Sequence, residues 1–474
     1  MDFFSDYTLT IGGKARATAR SLDVKNPATG QPFAAAPAAS AQDLDDAVAA
    51  AQAALPAWKA LPIAERRNVI NAAANAIKAH ADDLARLFTL EQGRPLEAAR
   101  QEILFGSFWL KAVAKLDLPV EVVEDTPARR VEIHHEPLGV VCAIVPWNFP
   151  FLLATWKIGP ALLAGNTMVM KPSPFTPLLA LKLAELWREI LPPGVFNVLS
   201  GDDELGPLMT AHPGFAKISF TGSTATGKRV MEAAARDLKS ITLELGGNDV
   251  AIIMPDVDID QVAREIFHGA FYNSAQVCVA TKRLYIHDDI YDALRDRLHA
   301  LALEARVDDG MKPGTHYGPV QNEPLHRRLL GLIDEARAEG LTLLTGRETP
   351  DNGGYFVPLT LVDNPPEHAR VVAEEAFGPV LPLLRFTDVE DVIRRANDSN
   401  YGLAGAIWSK NVDNAVAIAK RLETGTVWIN QNLQNAPHIP FAGQKESGIG
   451  VENGMEGLKS FTQIKSIFIP KAQA

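Results

Sequence analysis

The sequence predicts an α/β protein built on a doubly wound parallel sheet, with a second α/β unit and a small β element beside it. Three observations carry that reading. From Gly139 onward strand-like runs alternate with helical stretches, the pattern a parallel sheet with crossover helices requires. A second alternation follows Gly246-Gly247, the expected hinge. Two strand-forming segments at 120–124 and 130–136, separated by Asp-Thr-Pro-Ala, read as a hairpin.

Taken in order, residues 7–23 form a short strand region ahead of alanine-rich helices. Ser40 is the expected N-cap of a helix over 41–54, and Val69, Ile70, Ala73 and Ile77 give helical spacing within 64–92. Strands are expected at 140–145, 167–171, 195–199, 217–221 and 241–244. Thr176-Pro177 supplies an N-cap and a first-turn proline. A helix begins near Thr224. The second unit has strands at 250–254 and 283–287 and helices at 259–271 and 290–304.

A chain of 474 residues holds two or three domains. Its 46 basic against 57 acidic residues, a net charge of −11, argue against nucleic acid or an anionic membrane as the main partner. Two cysteines make no disulfide framework, which suits a reducing, cytoplasmic setting. The acidic start, Met-Asp-Phe-Phe-Ser-Asp, lacks the features of a signal peptide. Residues 138–156 carry no charge, but Pro146, Asn148 and Pro150 would leave polar groups unsatisfied in lipid. That stretch reads as a buried strand, a loop and a helix start.

Cys278, in Asn-Ser-Ala-Gln-Val-Cys-Val, and Glu244, in Glu-Leu-Gly-Gly, supply a thiol and a carboxylate. Only a thiolate is a good nucleophile, and a thioester needs base-activated water to turn over. Phe220-Thr-Gly-Ser-Thr-Ala-Thr-Gly227 joins a strand to a helix, where Gly222 and Gly227 let backbone amides approach a pyrophosphate; an ordinary turn accounts for it equally. In Pro146-Trp-Asn-Phe-Pro150, Asn148 is a candidate oxyanion donor or a structural turn residue. Lys171 ends a strand within reach of ribose hydroxyls, and otherwise is a solvated strand end. Glu375 is a candidate ribose acceptor and Phe377 a nicotinamide platform. No histidine, cysteine and acid cluster has metal-ligand spacing, so no catalytic metal is expected.

Together these segments resemble the aldehyde dehydrogenase superfamily from Tyr7 to Phe468. The motifs Pro146–Pro150, Lys171-Pro-Ser, Phe220–Gly227, Glu244–Gly247, Gln276-Val-Cys278, Glu375-Ala-Phe-Gly-Pro and Pro440-Phe-Ala-Gly-Gln-Lys-Glu-Ser-Gly448 recur in family order. The resemblance implies Cys278 as nucleophile, Glu244 as general base, and Asn148 with the Cys278 amide as oxyanion hole. It implies Lys157 and Glu452 as supports of the base and proton relays. For NAD or NADP it implies Lys171 and Ser173 at the adenosine ribose and Gly222, Ser223 and Gly227 near the pyrophosphate. Glu375 and Phe377 would lie at the nicotinamide riboside, with Trp147 and Leu245 beside the cofactor. Phe149, Leu153, Trp156, Val277, Val279, Asn432, Asn435 and His438 would line the substrate entrance.

The implied fold is a Rossmann-variant cofactor domain (1–119 and 138–246), an α/β catalytic domain (247–446) and a small β oligomerisation element (120–137 and 447–474). The implied assembly is a homodimer or homotetramer. Two departures stand out: Ala275 replaces a usual glycine, and Pro174 replaces a usual ribose-binding glutamate, which leaves NAD and NADP both open. The expected reaction oxidises a small-molecule aldehyde to a carboxylic acid through a cysteine thiohemiacetal and a thioester. The alternatives are a coenzyme-A-acylating aldehyde dehydrogenase and a cofactor-independent thiol esterase. A neutral, medium-sized aldehyde, aromatic or hydroxylated, is the expected substrate.

Overall fold

The computed structural model describes residues 2–471; Met1 and residues 472–474, at the outer ends of the expected spans, lie outside the described residues. The chain forms an eight-stranded and a seven-stranded sheet, with smaller sheets beside them. In the larger sheet the strands Phe196–Val198, Thr167–Lys171, Val140–Ile144, Lys217–Thr221 and Ser240–Glu244 lie side by side and parallel. Their residues are almost all buried, as strands covered by helices on both faces must be.

The winding of this sheet positions the site. The chain runs outward from Val140–Ile144 through Thr167–Lys171 to Phe196–Val198. It then crosses back to Lys217–Thr221, on the other side of Val140–Ile144. Strand order therefore reverses between Val140–Ile144 and Lys217–Thr221, and a crevice opens beyond their carboxyl ends. Ser240–Glu244 follows, and Gly448–Ile449 closes that edge antiparallel to it.

The seven-stranded sheet draws its strands from Val250–Ile253 to Thr426–Ile429 and is parallel except for its edge pair, Thr342–Thr345 with Thr360–Asp363. The hairpin Glu121–Asp125 and Arg129–Pro137 pairs with Thr462–Pro470 in a three-stranded antiparallel sheet. No helix among the described residues is long and apolar enough to cross a membrane. The uncharged stretch becomes the buried strand Val140–Ile144, a loop, and the start of the helix Pro150–Leu163.

Local signals explain most element ends. Ser40 caps the helix Ala41–Ala60 in a reciprocal box with Asp43, as expected, although the helix runs past Pro56. The region 64–92 divides at His80 into Ile63–Ala79 and Ala81–Gln92, and the second ends at Gly93 in a left-handed conformation with φ 96°.

Thr176 does not cap the next helix. Its hydroxyl is buried without a partner, and the helix Leu178–Trp187 is capped instead by Glu91, which accepts from the N–H groups of Leu178 (2.8 Å) and Leu179 (2.9 Å). A carboxyl group from a distant segment satisfies two amides, where a threonine satisfies one. The helix Leu96–Val113 goes beyond the elements expected. Glu102, Gly106 and Ser107 interrupt its apolar stripe, yet all are buried, and Gly106 lies where an added Cβ would stand 2.4 Å from Phe151.

Candidate active site

The catalytic candidates converge beyond the carboxyl ends of the parallel strands. Glu244 ends its strand between Thr221 on one side and Gly448 on the other. The flanking backbone is pinned, since the Gly222 N–H donates to the Glu244 carbonyl (3.0 Å) and the Leu245 N–H to the Ser447 carbonyl (2.9 Å). The late motif around Ser447-Gly448 thus clamps Glu244 from a segment distant in sequence.

Cys278 arrives from the second unit on a strained turn. Asn273, Ser274 and Ala275 have φ of 53°, 54° and 61°, three consecutive non-glycine residues in the left-handed region. Ala275, which stands where the family usually has glycine, is therefore a site of backbone strain. Buried amides hold the turn: the Asn148 side chain donates to the Gln276 carbonyl (3.0 Å) and the Asn273 side chain to the Asn148 carbonyl (3.2 Å). Asn148 thus commits one N–H to the loop and keeps the other.

Two cavities meet at the sulfur. One, of about 540 Å³, is lined by Trp147, Asn148, Thr221, Gly222, Ser223, Glu244, Leu245, Cys278, Glu375 and Phe377, among others. The other, of about 440 Å³, is lined by Phe149, Leu153, Trp156, Val277, Cys278, Val279, Asn432 and Asn435 with further aromatic residues. Cys278 and Leu153 border both. Asn432 joins the second wall as expected; His438 is not among its lining residues.

Electrostatics at the junction favour neutral forms. Burial, followed by the charge of Glu452, pushes the Glu244 carboxyl up to about 8, while Lys157 opposes the shift. Apart from the facing thiol, neither oxygen of that carboxyl meets a hydrogen-bond partner. The Cys278 thiol is raised well above its ordinary range, first by burial and then by Glu244. Burial therefore favours the protonated thiol at rest. Lys157 is fully buried and donates to Glu452, and both groups act on Glu244.

The larger cavity fits a dinucleotide. It lies at the reversal of strand order, beside the first turn of the helix Thr224–Ala235, whose N-cap Ser223 accepts from Thr226. The Thr221 hydroxyl, in its wall, is buried without a partner. Phe377, at a left-handed φ of 54°, packs edge-on against Trp147 with ring centroids 5.4 Å apart. Glu375 accepts from the Gly247 N–H at 3.1 Å, and burial raises its carboxyl. Lys171, Ser173 and Gly227 are not among the lining residues. Lys171 is buried, not a solvated strand end, and burial lowers its ammonium to about 8. Gly227 lies under Leu245, which an added Cβ would meet at 2.5 Å.

Two charged residues at the site had no sequence signal. Arg94 is buried, pairs with Glu102, donates to the Asn148 carbonyl and lies 4.5 Å over the Phe149 ring. Lys282 follows Cys278 by four residues and donates to its carbonyl.

The aldehyde dehydrogenase family model matches residues 14–467. Aldehyde dehydrogenase LUC3 of Fusarium sp is 42% identical over 473 residues, covering 99% of this chain and all of that protein. Phenylacetaldehyde dehydrogenase of Pseudomonas fluorescens is 38% identical, covering 98% of this chain and 96% of that protein. Among solved structures, betaine aldehyde dehydrogenase of Staphylococcus aureus in complex with NAD+ superposes with a TM-score of 0.94 at 34% identity, covering 98% and 97% of the two chains. An NADP-dependent enzyme of E. coli does so at 0.96 and 36%, covering 99% of each. The chain belongs to the aldehyde dehydrogenase family, the NAD(P)-dependent oxidoreductases that convert an aldehyde to a carboxylic acid.

Proposed function

We propose that Cys278 captures an aldehyde presented from the aromatic cavity and that Glu244 releases the product as a free acid. The observation that carries this reading is that Cys278 borders both cavities. The sulfur bonds to the carbonyl carbon while its proton passes to ionised Glu244. Asn148 and the Cys278 amide hold the developing oxyanion. NAD(P), when bound, accepts the hydride that leaves the former aldehyde carbon. Glu244 gives the thiol's proton up to solvent and, ionised again, takes a proton from water as the water oxygen attacks the thioester carbon. The sulfur departs as thiolate and regains its proton from Glu244, and the acid leaves. Glu452 raises the proton affinity of Glu244, which makes it a stronger base once ionised, while Lys157 favours the ionised form.

We assign Ser223 and Gly222 to the pyrophosphate, Glu375 to the ribose, and Trp147, Leu245 and Phe377 to the nicotinamide side, a reading supported by their sharing one cavity wall. Lys171 and Ser173, further along the sheet edge, are assigned to the adenosine ribose, and Gly227 to the packing that brings the helix end close. A base facing the thiol supports hydrolysis over transfer to coenzyme A, and the first cavity is surplus to a cofactor-independent esterase.

The substrate is a neutral aldehyde with an aromatic or branched apolar body. Phe149, Trp156, Tyr272 and Phe441 wall the second cavity, no arginine or lysine lines it, and Arg94 beneath it is already paired with Glu102. The relative that acts on phenylacetaldehyde supports this class.

We assign the eight-stranded sheet to the cofactor domain (1–119 and 138–246), to which 448–449 returns. The seven-stranded sheet is the catalytic domain, and the three-stranded sheet is the oligomerisation element of a homodimer or homotetramer. Ile464 and Phe468 on its outer strand are 70% and 63% exposed, which supports a covering subunit. A reducing, cytoplasmic setting suits two free cysteines. An aldehyde panel with NAD and NADP tests the class, and Cys278→Ser is expected to lose at least a thousandfold in turnover. Wild-type NAD(P) reduction by that variant would overturn the assignment.

A further inference from the structure

We propose that Lys282 is a positioning residue for the nucleophile: it fixes the turn that carries Cys278 and is the cation that favours ionisation of its sulfur, in competition with Glu375. The inference deepens the reading above and rests on Cys278 being the nucleophile.

Lys282 is a buried lysine surrounded by acceptors. Its side chain is 5% exposed and its ammonium donates to the carbonyls of Cys278 and Ala280, the latter at 3.3 Å. Glu375 Oε1 stands 3.6 Å away, held from its other side by the Gly247 N–H at 3.1 Å. The Lys282 N–H donates to the Asp249 carbonyl at 2.9 Å, and one oxygen of the buried Asp249 carboxyl has no partner. Three segments of chain therefore meet at Lys282: 278–280 and Glu375 at its ammonium, and Asp249 at its backbone N–H. A buried charge is retained only where it is paired, and here the pairs are the nucleophile's own backbone and the carboxylate on the cofactor side.

Around the sulfur the other charges are of one sign or already committed. Glu244 faces it from the strand Ser240–Glu244, and Asp249 adds a second negative group. Lys157, behind Glu244, is paired with Glu452. On the aldehyde side the cavity wall carries Glu102, Glu265 and His268, with Glu102 paired to Arg94. Lys282 is the group that lowers the cost of the thiolate, and Glu375 draws the same charge away.

The test is the pH dependence of Cys278 alkylation by iodoacetamide in the full-length, cofactor-free enzyme, read by mass spectrometry. The other cysteine, Cys142, is fully buried and pushed up to about 12, so it stays silent. Lys282→Met is expected to raise the midpoint by at least one pH unit, a tenfold slower alkylation at any pH below it, while Lys282→Arg stays near wild type. Glu375→Gln is expected to lower the midpoint. An unchanged midpoint in Lys282→Met overturns the proposal; if that variant does not fold, an unchanged or raised midpoint in Glu375→Gln does so. These profiles read the sulfur itself and need no turnover, whereas failure of the functional reading appears as full activity in Cys278→Ser.

Discussion

Glu91 and Glu244 are both wholly buried carboxyls that burial pushes up to about 8, yet they sit in opposite circumstances. Glu91 lies between helices, and each of its oxygens accepts a backbone N–H, from Leu178 and from Leu179. Glu244 lies at a strand end on a cavity wall, and its oxygens meet only the thiol of Cys278. The two cysteines repeat the contrast: Cys142 is sealed in the middle of the strand Val140–Ile144, and Cys278 stands where two cavities meet. A shifted proton affinity therefore does not mark a reactive group. A shifted group whose polar atoms are unsatisfied and open onto a cavity does.

That comparison can be broken from either side. The largest effect is expected at the oxyanion. Asn148→Ala should lower kcat by a few hundredfold, about 3–4 kcal/mol of barrier; steady-state kinetics within tenfold of wild type would remove Asn148 from that role. Turnover should also rise with pH through about 8, because Glu244 must be ionised to accept a proton. A flat kcat profile between pH 6 and 9 would contradict a carboxyl base with that affinity.

Glu91 should behave as its surroundings dictate. Glu91→Gln is expected to cost about 1–3 kcal/mol of stability and leave kcat unchanged, measured by thermal melting and kinetics. The folded state holds a proton on Glu91 up to about 8, whereas its ordinary value is 4.5. Its stabilising contribution is full below 4.5 and is lost as pH rises through about 8, so Tm should fall over that window and fall less in Glu91→Gln. The smallest effect is expected at the strained turn. Ala275→Gly relieves a φ of 61° and should raise stability by up to about 1 kcal/mol without lowering activity.

The parts of the fold with strict periodicity were legible in the sequence. The strands Thr167–Lys171, Lys217–Thr221 and Arg283–His287 and the helix Ile259–Phe271 stand where alternation of buried runs placed them. The helix Leu96–Val113 was not, because buried Glu102 and Ser107 break its apolar stripe and are satisfied only by distant partners: Arg94 and Leu152 for one, the Ala74 carbonyl for the other. Thr176 misled for the same reason, since its local capping signal lost to a carboxylate 85 residues away.

At the site, Cys278, Glu244 and Asn148 were legible because each stands in a distinctive motif. Arg94 and Lys282 were not, because nothing local distinguishes a buried basic residue from a surface one. Nor does sequence show that burial keeps the thiol protonated. That follows from a cavity wall assembled from the strand Ser240–Glu244, the turn before Cys278 and the segment around Ser447.

The most direct test of the central claim is a single-turnover experiment with Glu244→Gln. Because Glu244 takes the thiol proton as well as the water proton, the variant should form NAD(P)H slowly, to no more than about one equivalent per active site. It should then stall, with the acyl group found by mass spectrometry on the peptide containing Cys278. Sustained turnover near the wild-type rate, or an acyl group on any other residue, would contradict it.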